Sequence, residues 1–250
     1  MDAARPIDRR RALQFAGLAA LGLAAACADD ETPSADPDGS PTTPGSSAAA
    51  AGEGAVPGCT LTPSQAEGPF YLDDDLVRVD VTEGRPGAPL ALVLTIVSAD
   101  GCVPLPDAAV DLWQTDAEGV YSGFDQDNGT DAVDATGETF CRGTQITDAS
   151  GVVTFQTIVP GWYEGRVPHL HLKVRPDDSR EATTQLYFPA PLIDSAYTED
   201  PYASRGSDPT SVADDAVLNG DADKMDELTL AASGDPDGTG YSADYTIAIA

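Results

Sequence analysis

The sequence predicts an all-β domain: an antiparallel β-sandwich with long loops and a few short helices. Three observations carry that prediction. About eight short runs rich in apolar and β-branched residues are separated by Gly-, Pro- and Asp-rich turns. The 250 residues contain no long amphipathic helix, no Gly-rich phosphate loop and no internal repeat. Hydrophobic residues make up 41% of the chain, ample material for a core.

Residues 1–27 read as an export signal rather than as structure. Arg9, Arg10 and Arg11 precede Leu13, Phe15 and an apolar run from Ala16 to Ala26, which is too short for a membrane-spanning helix. The paired arginines resemble a twin-arginine signal. Cys27, after Leu23-Ala24-Ala25-Ala26, resembles the lipidated cysteine of a bacterial lipoprotein. The expectation is an exported chain, either a cell-surface lipoprotein whose one link to the membrane is a lipid on Cys27, or a secreted protein. Residues 28–57 are Ala, Ser, Pro, Thr, Gly and Asp with almost nothing large and apolar. Such a segment buries too little surface to offset its conformational entropy, so it is expected to be a disordered linker. The folded domain is then 58–250.

The formal net charge of −29 argues against nucleic-acid binding, because one polyanion repels another. A solvated, aggregation-resistant surface accounts for the acidity. Four cysteines in an oxidising compartment permit disulfides. With Cys27 lipidated, Cys59, Cys102 and Cys141 remain. The favoured pairing is Cys59 with Cys102, pinning the start of the domain to the turn after its first long strand and leaving Cys141 as a small buried hydrophobe.

Along the domain, residues 59–72 are irregular, with Pro63 and Pro69. Val77, Val79 and Val81 alternate with polar residues, as on a half-buried strand. Leu90 to Val97 is almost wholly apolar and is expected to be a strand covered on both faces. After a turn at 101–107, Ala108 to Gln114 forms the next strand, with Val110 and Leu112 facing one way and Trp113 the other. The turn 116–121 delivers Tyr121, and the Gly- and Asp-rich stretch 122–139 reads as a long surface loop. Phe140 to Ile146 and Val152 to Ile158 read as a hairpin across Asp148-Ala149-Ser150-Gly151. Thr183 to Phe188 is a further strand, with Gln185 and Tyr187 on one side. Residues 192–226 break into short helical or loop pieces, and closing strands are expected near 227–231 and 241–250.

The chemistry concentrates in Pro160 to Val174, which holds the chain's only two histidines, His169 and His171. Alternate residues of an extended segment share a face, so both imidazoles point one way while Leu170 and Leu172 point into a core. Two imidazoles on one strand can grip a metal; the bland alternative is a pair of polar residues on a solvated face. Tyr121 and Tyr163 stand in matching contexts, each at the end of a turn. Each alone is an ordinary surface tyrosine. Beside two histidines, phenolates make a hard anionic donor set suited to Fe(III), whose charge draws off the phenol proton well below pH 10.

Several ordered motifs resemble the intradiol ring-cleavage dioxygenases, the catechol and protocatechuate dioxygenases. They are Asp111-Leu112-Trp113-Gln114 leading to Gly119-Val120-Tyr121; Thr157-Ile158-Val159-Pro160-Gly161-Trp162-Tyr163; Arg166-Val167-Pro168-His169-Leu170-His171; and Thr184-Gln185-Leu186-Tyr187-Phe188. The resemblance covers most of residues 59–190. It implies a non-haem Fe(III) held by Tyr121, Tyr163, His169 and His171, and a catechol-type diol and O2 as substrates. It further implies Tyr163 as a proton acceptor, Arg166 beside the substrate stabilising developing negative charge, and Gln185 orienting Arg166 or His169. Only five residues separate Tyr163 from His169, fewer than in the larger members, and no N-terminal helical region for dimerisation is apparent. The compact form resembles an exported, single-domain branch. Which catechol is used, and the oligomeric state, are left open.

Two rival readings remain. One is a non-catalytic extracellular β-sandwich binding module; retention of all four donor residues argues against it. The other is a different metal enzyme. A cupin-type site ordinarily uses a third histidine, which the chain lacks, and a zinc hydrolase needs a carboxylate in a frame that the sequence does not display.

Overall fold

Two four-stranded sheets pack face to face around the alternating apolar positions of their strands. The structure, a computed structural model, describes residues 59–250 apart from 75, 209 and 236–239. Among them, β1 (Pro89–Ser98), β6 (Val152–Ile158), β9 (Ala231–Asp235) and β10 (Gly240–Ile249) make the first sheet, in the order β6-β1-β10-β9. The second, β5-β2-β7-β8, contains β2 (Ala109–Trp113), β5 (Arg142–Ile146), β7 (His169–Asp177) and β8 (Arg180–Tyr187). A small ribbon joins β3 (Asp125–Asp127) to β4 (Ala132–Asp134). The helical pieces are α1 (Ala190–Ala196), a 3-10 turn at Tyr202–Arg205, and α2 (Ala222–Glu227). Leu90, Leu92, Leu94 and Ile96 of β1 meet Val110 and Leu112 of β2 and Leu170, Leu172 and Val174 of β7 in one core.

The all-β sandwich is as expected, with one pairing of the other sense. Strands β1 and β10 run parallel, from Leu90 opposite Tyr241 to Ser98 opposite Ile249. A parallel partner needs a long connection, and here most of the domain lies between the two strands.

Four further expectations are corrected. Residues 142–146 and 152–158 do not form a hairpin: β5 pairs with β2 and β6 with β1, so the turn at 148–151 arches from one sheet to the other. β1 is covered on one face only, with Val93 exposed between buried Leu92 and Leu94. The strand buried along its whole length is β2. Residues 76–81 make only isolated bridges, with Val77 61%, Val79 44% and Val81 0% exposed. This segment bonds to β5 through Arg78 N–H and Leu76 C=O, and to β6 through Val81 N–H and Val79 C=O, so it covers the edges of both sheets. The stretch expected as strand from 227 begins instead at Ala231, because Glu227 closes α2. The loop 122–139 contains the β3–β4 ribbon.

Cys59 and Cys102 are disulfide-bonded, and Cys141 is free and buried. The expected export signal, Cys27 and the linker 28–57 lie outside the described residues. Among the described residues, no helix is long and apolar enough to cross a membrane.

Candidate metal centre

The strand alternation of β7 sends Leu170 and Leu172 into the core and His169 and His171 to the opposite face. That face is not solvated, since each imidazole residue is only 2% exposed. Residues 65–71 cover it: Gln65 N–H donates to Thr183 O, and Gln185 Nε2 donates to Ala66 O at 2.6 Å. His171 stacks on Trp113 with ring centroids 4.8 Å apart.

Two interlocked turns deliver the tyrosines. Asp116 holds the first, its Oδ1 accepting from Glu118 N–H and Val120 N–H, each at 3.0 Å. The second begins at Gly161, whose N–H donates to Asp116 O at 2.8 Å. A Cβ at Gly161 would overlap the Ala117 carbonyl, and one at Gly119 would overlap the Trp162 carbonyl. Glycine at both positions is what lets the turns approach closely enough for Tyr121 and Tyr163 to meet.

Four donor atoms converge. His169 Nε2 lies 3.0 Å from His171 Nε2, 3.3 Å from Tyr121 Oη and 3.4 Å from Tyr163 Oη. His171 Nε2 is 3.1 Å from Tyr121 Oη. Ligands bonded to one ion at about 2.0–2.1 Å stand about 3.0–3.4 Å from each other, so the spacing fits a single metal between them. Among the described residues, no group of three or more His, Cys, Asp or Glu side chains could hold a metal. A zinc-type His–carboxylate set therefore has no counterpart here, and the tyrosines are needed to complete the donor set.

The electrostatics agree with that donor chemistry. Burial, with the Arg166 charge behind it, holds His169 well below the usual imidazole pKa. Burial and then neighbouring His169 do the same to His171, so both rings are neutral donors. Burial pushes the Tyr121 phenol well above its ordinary value, and the adjacent Tyr163 adds to the effect. Burial also raises Tyr163. Two phenols this reluctant to ionise would need a cation beside them to become phenolates.

Arg166 reaches the same point. A tight turn returns the chain from Tyr163 to Arg166, and Arg166 Nη1 lies 3.2 Å from His169 Nε2 and 3.5 Å from Tyr163 Oη. Its Nη2 donates to Gln185 Oε1, so Gln185 orients Arg166 and not His169. Burial opposes the guanidinium charge, but Tyr163 and Asp215 outweigh it and leave its pKa above the ordinary value.

Three neighbours were not picked out from the sequence. Phe70 stacks on Tyr121 with centroids 4.4 Å apart. Arg142, fully buried, donates from Nε to Ser122 Oγ at 2.8 Å and from Nη1 to Phe70 O at 3.1 Å, tying the covering segment to the residue after Tyr121. Asp215 accepts from Arg166 Nε at 3.0 Å. The Gly68-Pro69-Phe70 run was a usable signal, because an apolar aromatic in an otherwise irregular stretch needs a packing partner.

A protein-family model described as "Dioxygenase" matches residues 63–168, a span that holds Tyr121, Tyr163 and Arg166 and ends one residue before His169. The fold is similar to that of an intradiol ring-cleavage dioxygenase from Tetranychus urticae, with a TM-score of 0.68 and 27% identity over 76% of this chain and 95% of that one. Over these spans the chain is similar to the intradiol ring-cleavage dioxygenases. Among curated relatives, a catechol 1,2-dioxygenase of Acinetobacter baylyi is 32% identical over 57% of this chain and 50% of its own length. A protocatechuate 3,4-dioxygenase beta chain of Burkholderia cepacia is 32% identical over 54% of this chain and 60% of its own. The chain thus spans about half the length of the curated relatives it matches.

Proposed function

We propose that the protein is a non-haem Fe(III)-dependent intradiol dioxygenase that cleaves a catechol-type ring with O2 to a muconate-type diacid. The observation that carries this reading is the convergence of two imidazole nitrogens and two phenol oxygens, with His169 Nε2 lying 3.0–3.4 Å from the other three donors in a largely buried site. Relatives named for catechol and chlorocatechol 1,2-dioxygenase activity support the same class of reaction. Catechol plus O2 has the composition of the diacid, so both oxygen atoms enter the product and no further reductant is required.

A bound ferric ion would supply the positive charge that accepts a catechol as its dianion and draws electron density from the ring. His169 and His171 would contribute neutral nitrogens, and Tyr121, the more deeply buried tyrosine, a fixed phenolate oxygen. Tyr163 is only half-buried, and as the less buried of the two tyrosines it would take up a proton from the incoming diol. Arg166, held charged beside it, would stabilise negative charge developing on the substrate; in a site this dry a fixed guanidinium acts strongly. Gln185 would keep that guanidinium in plane. Residues 66–71 exclude water from the buried side.

We also propose that the domain is exported and, through Cys27, lipid-anchored. The paired arginines and the apolar run ending at Cys27 support this.

The test is reconstitution with ferric ion, followed by oxygen uptake with a panel of catechols and ultraviolet spectra of the products. Tyrosinate-to-Fe(III) charge transfer should turn the protein reddish, and consumption of one O2 per catechol should accompany a muconate-type spectrum. A colourless protein that takes up no oxygen with any diol would favour the binding-module alternative.

A further inference from the structure

We infer that Asp215 is the positioning residue for Arg166, fixing its guanidinium from a segment near residues 210–218 that lies outside the matched family span. The inference rests on the dioxygenase reading for its catalytic consequence. Asp215 is 1% exposed. Its Oδ2 accepts from Arg166 Nε at 3.0 Å and Val167 N–H at 2.9 Å, and its Oδ1 accepts from Val217 N–H and Leu218 N–H, each at 2.8 Å. One carboxylate thus joins the backbone of its own segment to both the backbone and the side chain of the turn beneath the site. The two segments also clasp directly: Gly165 N–H donates to Thr210 Oγ1 at 3.2 Å, and Ala216 N–H donates to Gly165 O at 3.1 Å.

The geometry explains why Arg166 needs this. A guanidinium is a rigid plane on a flexible stem, so its orientation requires holds at two separate points. Asp215 takes Nε and Gln185 takes Nη2, which leaves Nη1 aimed at Tyr163 Oη and His169 Nε2. Gln185 alone offers one neutral acceptor, already shared with Tyr187 Oη at 3.3 Å. Without Asp215 the plane can rotate about that contact, and Nη1 swings away from the donor cluster. Asp215 is therefore more than a stabiliser of its own loop, a role that would leave Arg166 unaffected.

The test uses the full chain with ferric ion and the variants D215N, R166Q and D215N/R166Q. D215N should lower kcat on catechol roughly 10- to 100-fold, the worth of a hydrogen bond between charged groups, with KM changed by less than about threefold. In the R166Q background it should cost less than about twofold more, because its effect passes through the missing arginine. The same loss in both backgrounds would overturn the inference. A second measurement needs neither metal nor turnover. In metal-free protein the Arg166 Nε–H, assigned by its absence in R166Q, should exchange slowly in the wild type and rapidly in D215N, while β1 amides keep their protection. Unchanged Nε–H protection in D215N also overturns it. If the wild type turns over no catechol, the dioxygenase reading fails and the exchange measurement decides the positioning alone. Should D215N not fold, D215S keeps an acceptor for the loop amides without reaching Arg166 and supplies the same readouts.

Discussion

The Nδ1 atom of His169 lies 2.6 Å from the carbonyl oxygen of Val167. A carbonyl only accepts, so this contact puts the ring proton on Nδ1 and leaves Nε2 with a free lone pair pointing into the cluster. The backbone two residues upstream thus fixes the tautomer that metal ligation requires.

From that tautomer follows a prediction about ligand loss. Replacing His169 by Ala should lower ferric-ion affinity by a factor of about 100 or more, since neither tyrosine nor His171 can reach the vacated position. Tyr121→Phe should retain the fold, because the ring still stacks on Phe70, yet it should weaken and shift the visible charge-transfer band. Metal analysis after dialysis and the absorption spectrum check both. One equivalent of iron in the His169 variant, or an unaltered band in the Tyr121 variant, would remove those residues from the donor set.

A second prediction concerns the interlocked turns. Gly161→Ala places a methyl group inside the Ala117 carbonyl, with backbone on both sides and no side chain free to move aside. The cost should be about 3 kcal/mol or more, at or beyond the usual range for overpacking. Because the same contact brings Tyr121 to Tyr163, iron binding should weaken as well. Chemical denaturation with and without ferric ion measures both effects. Stability within about 0.5 kcal/mol of the wild type would mean that the turns can separate without consequence.

The histidine pair was legible in the sequence because its signal is local, whereas Tyr121 and Tyr163 were joined to it as donors through the family resemblance. The i, i+2 histidines inherit a shared face from strand geometry alone, and Gly119 and Gly161 mark the turns that bear the tyrosines. What failed was partner choice. Residues 142–146 and 152–158 show the same alternation and the same Asp-Ala-Ser-Gly turn whether they pair with each other or arch between sheets. The outcome depends on β2 and β1, with which the two runs pair instead of with each other. Val77, Val79 and Val81 suggested a half-buried strand, but only Val81 reaches the core. Asp215 was hidden for a different reason: it is one aspartate in an aspartate-rich stretch, and only the fold shows that it faces Arg166.

The Cys59–Cys102 disulfide closes a loop with a sequence separation of 43 residues and anchors the start of the segment that covers the site. Loop-closure entropy for that length corresponds to about 4 kcal/mol at 25 °C. Reduction, or the double replacement of both cysteines by Ser, should therefore lower the melting temperature by many degrees. Cys141 should contribute nothing to this change, since burial holds its thiol far above the usual range and keeps it unreactive. Calorimetry with and without reductant, together with Cys141→Ser as a control, separates the two contributions. A reduced protein as stable as the oxidised one would show that the covering segment is held by its hydrogen bonds alone.

The last prediction is a dependence of stability on pH through Asp208. Burial, reinforced by nearby Asp215, pushes its carboxyl from the ordinary 3.8 up to about 6, although its Oδ1 accepts from Thr210 N–H at 2.7 Å. Below pH 3.8 both the folded and the unfolded chain keep this proton, so the group does not affect stability there. As pH rises through that value the unfolded chain releases its proton first, while the folded one holds it until about 6. Stability contributed by this group therefore falls across that interval and stays lower above it. Complete burial would make the loss about 3 kcal/mol, and partial exposure reduces it to about 1 kcal/mol. Asp208→Asn keeps an acceptor for Thr210 N–H and removes the titration, so the variant should gain on the wild type as pH rises from about 4 to 6 and hold that gain above it. Paired denaturant titrations across this range cancel the contributions of the other acids; a constant difference between the two proteins would mean that Asp208 titrates alike in both states.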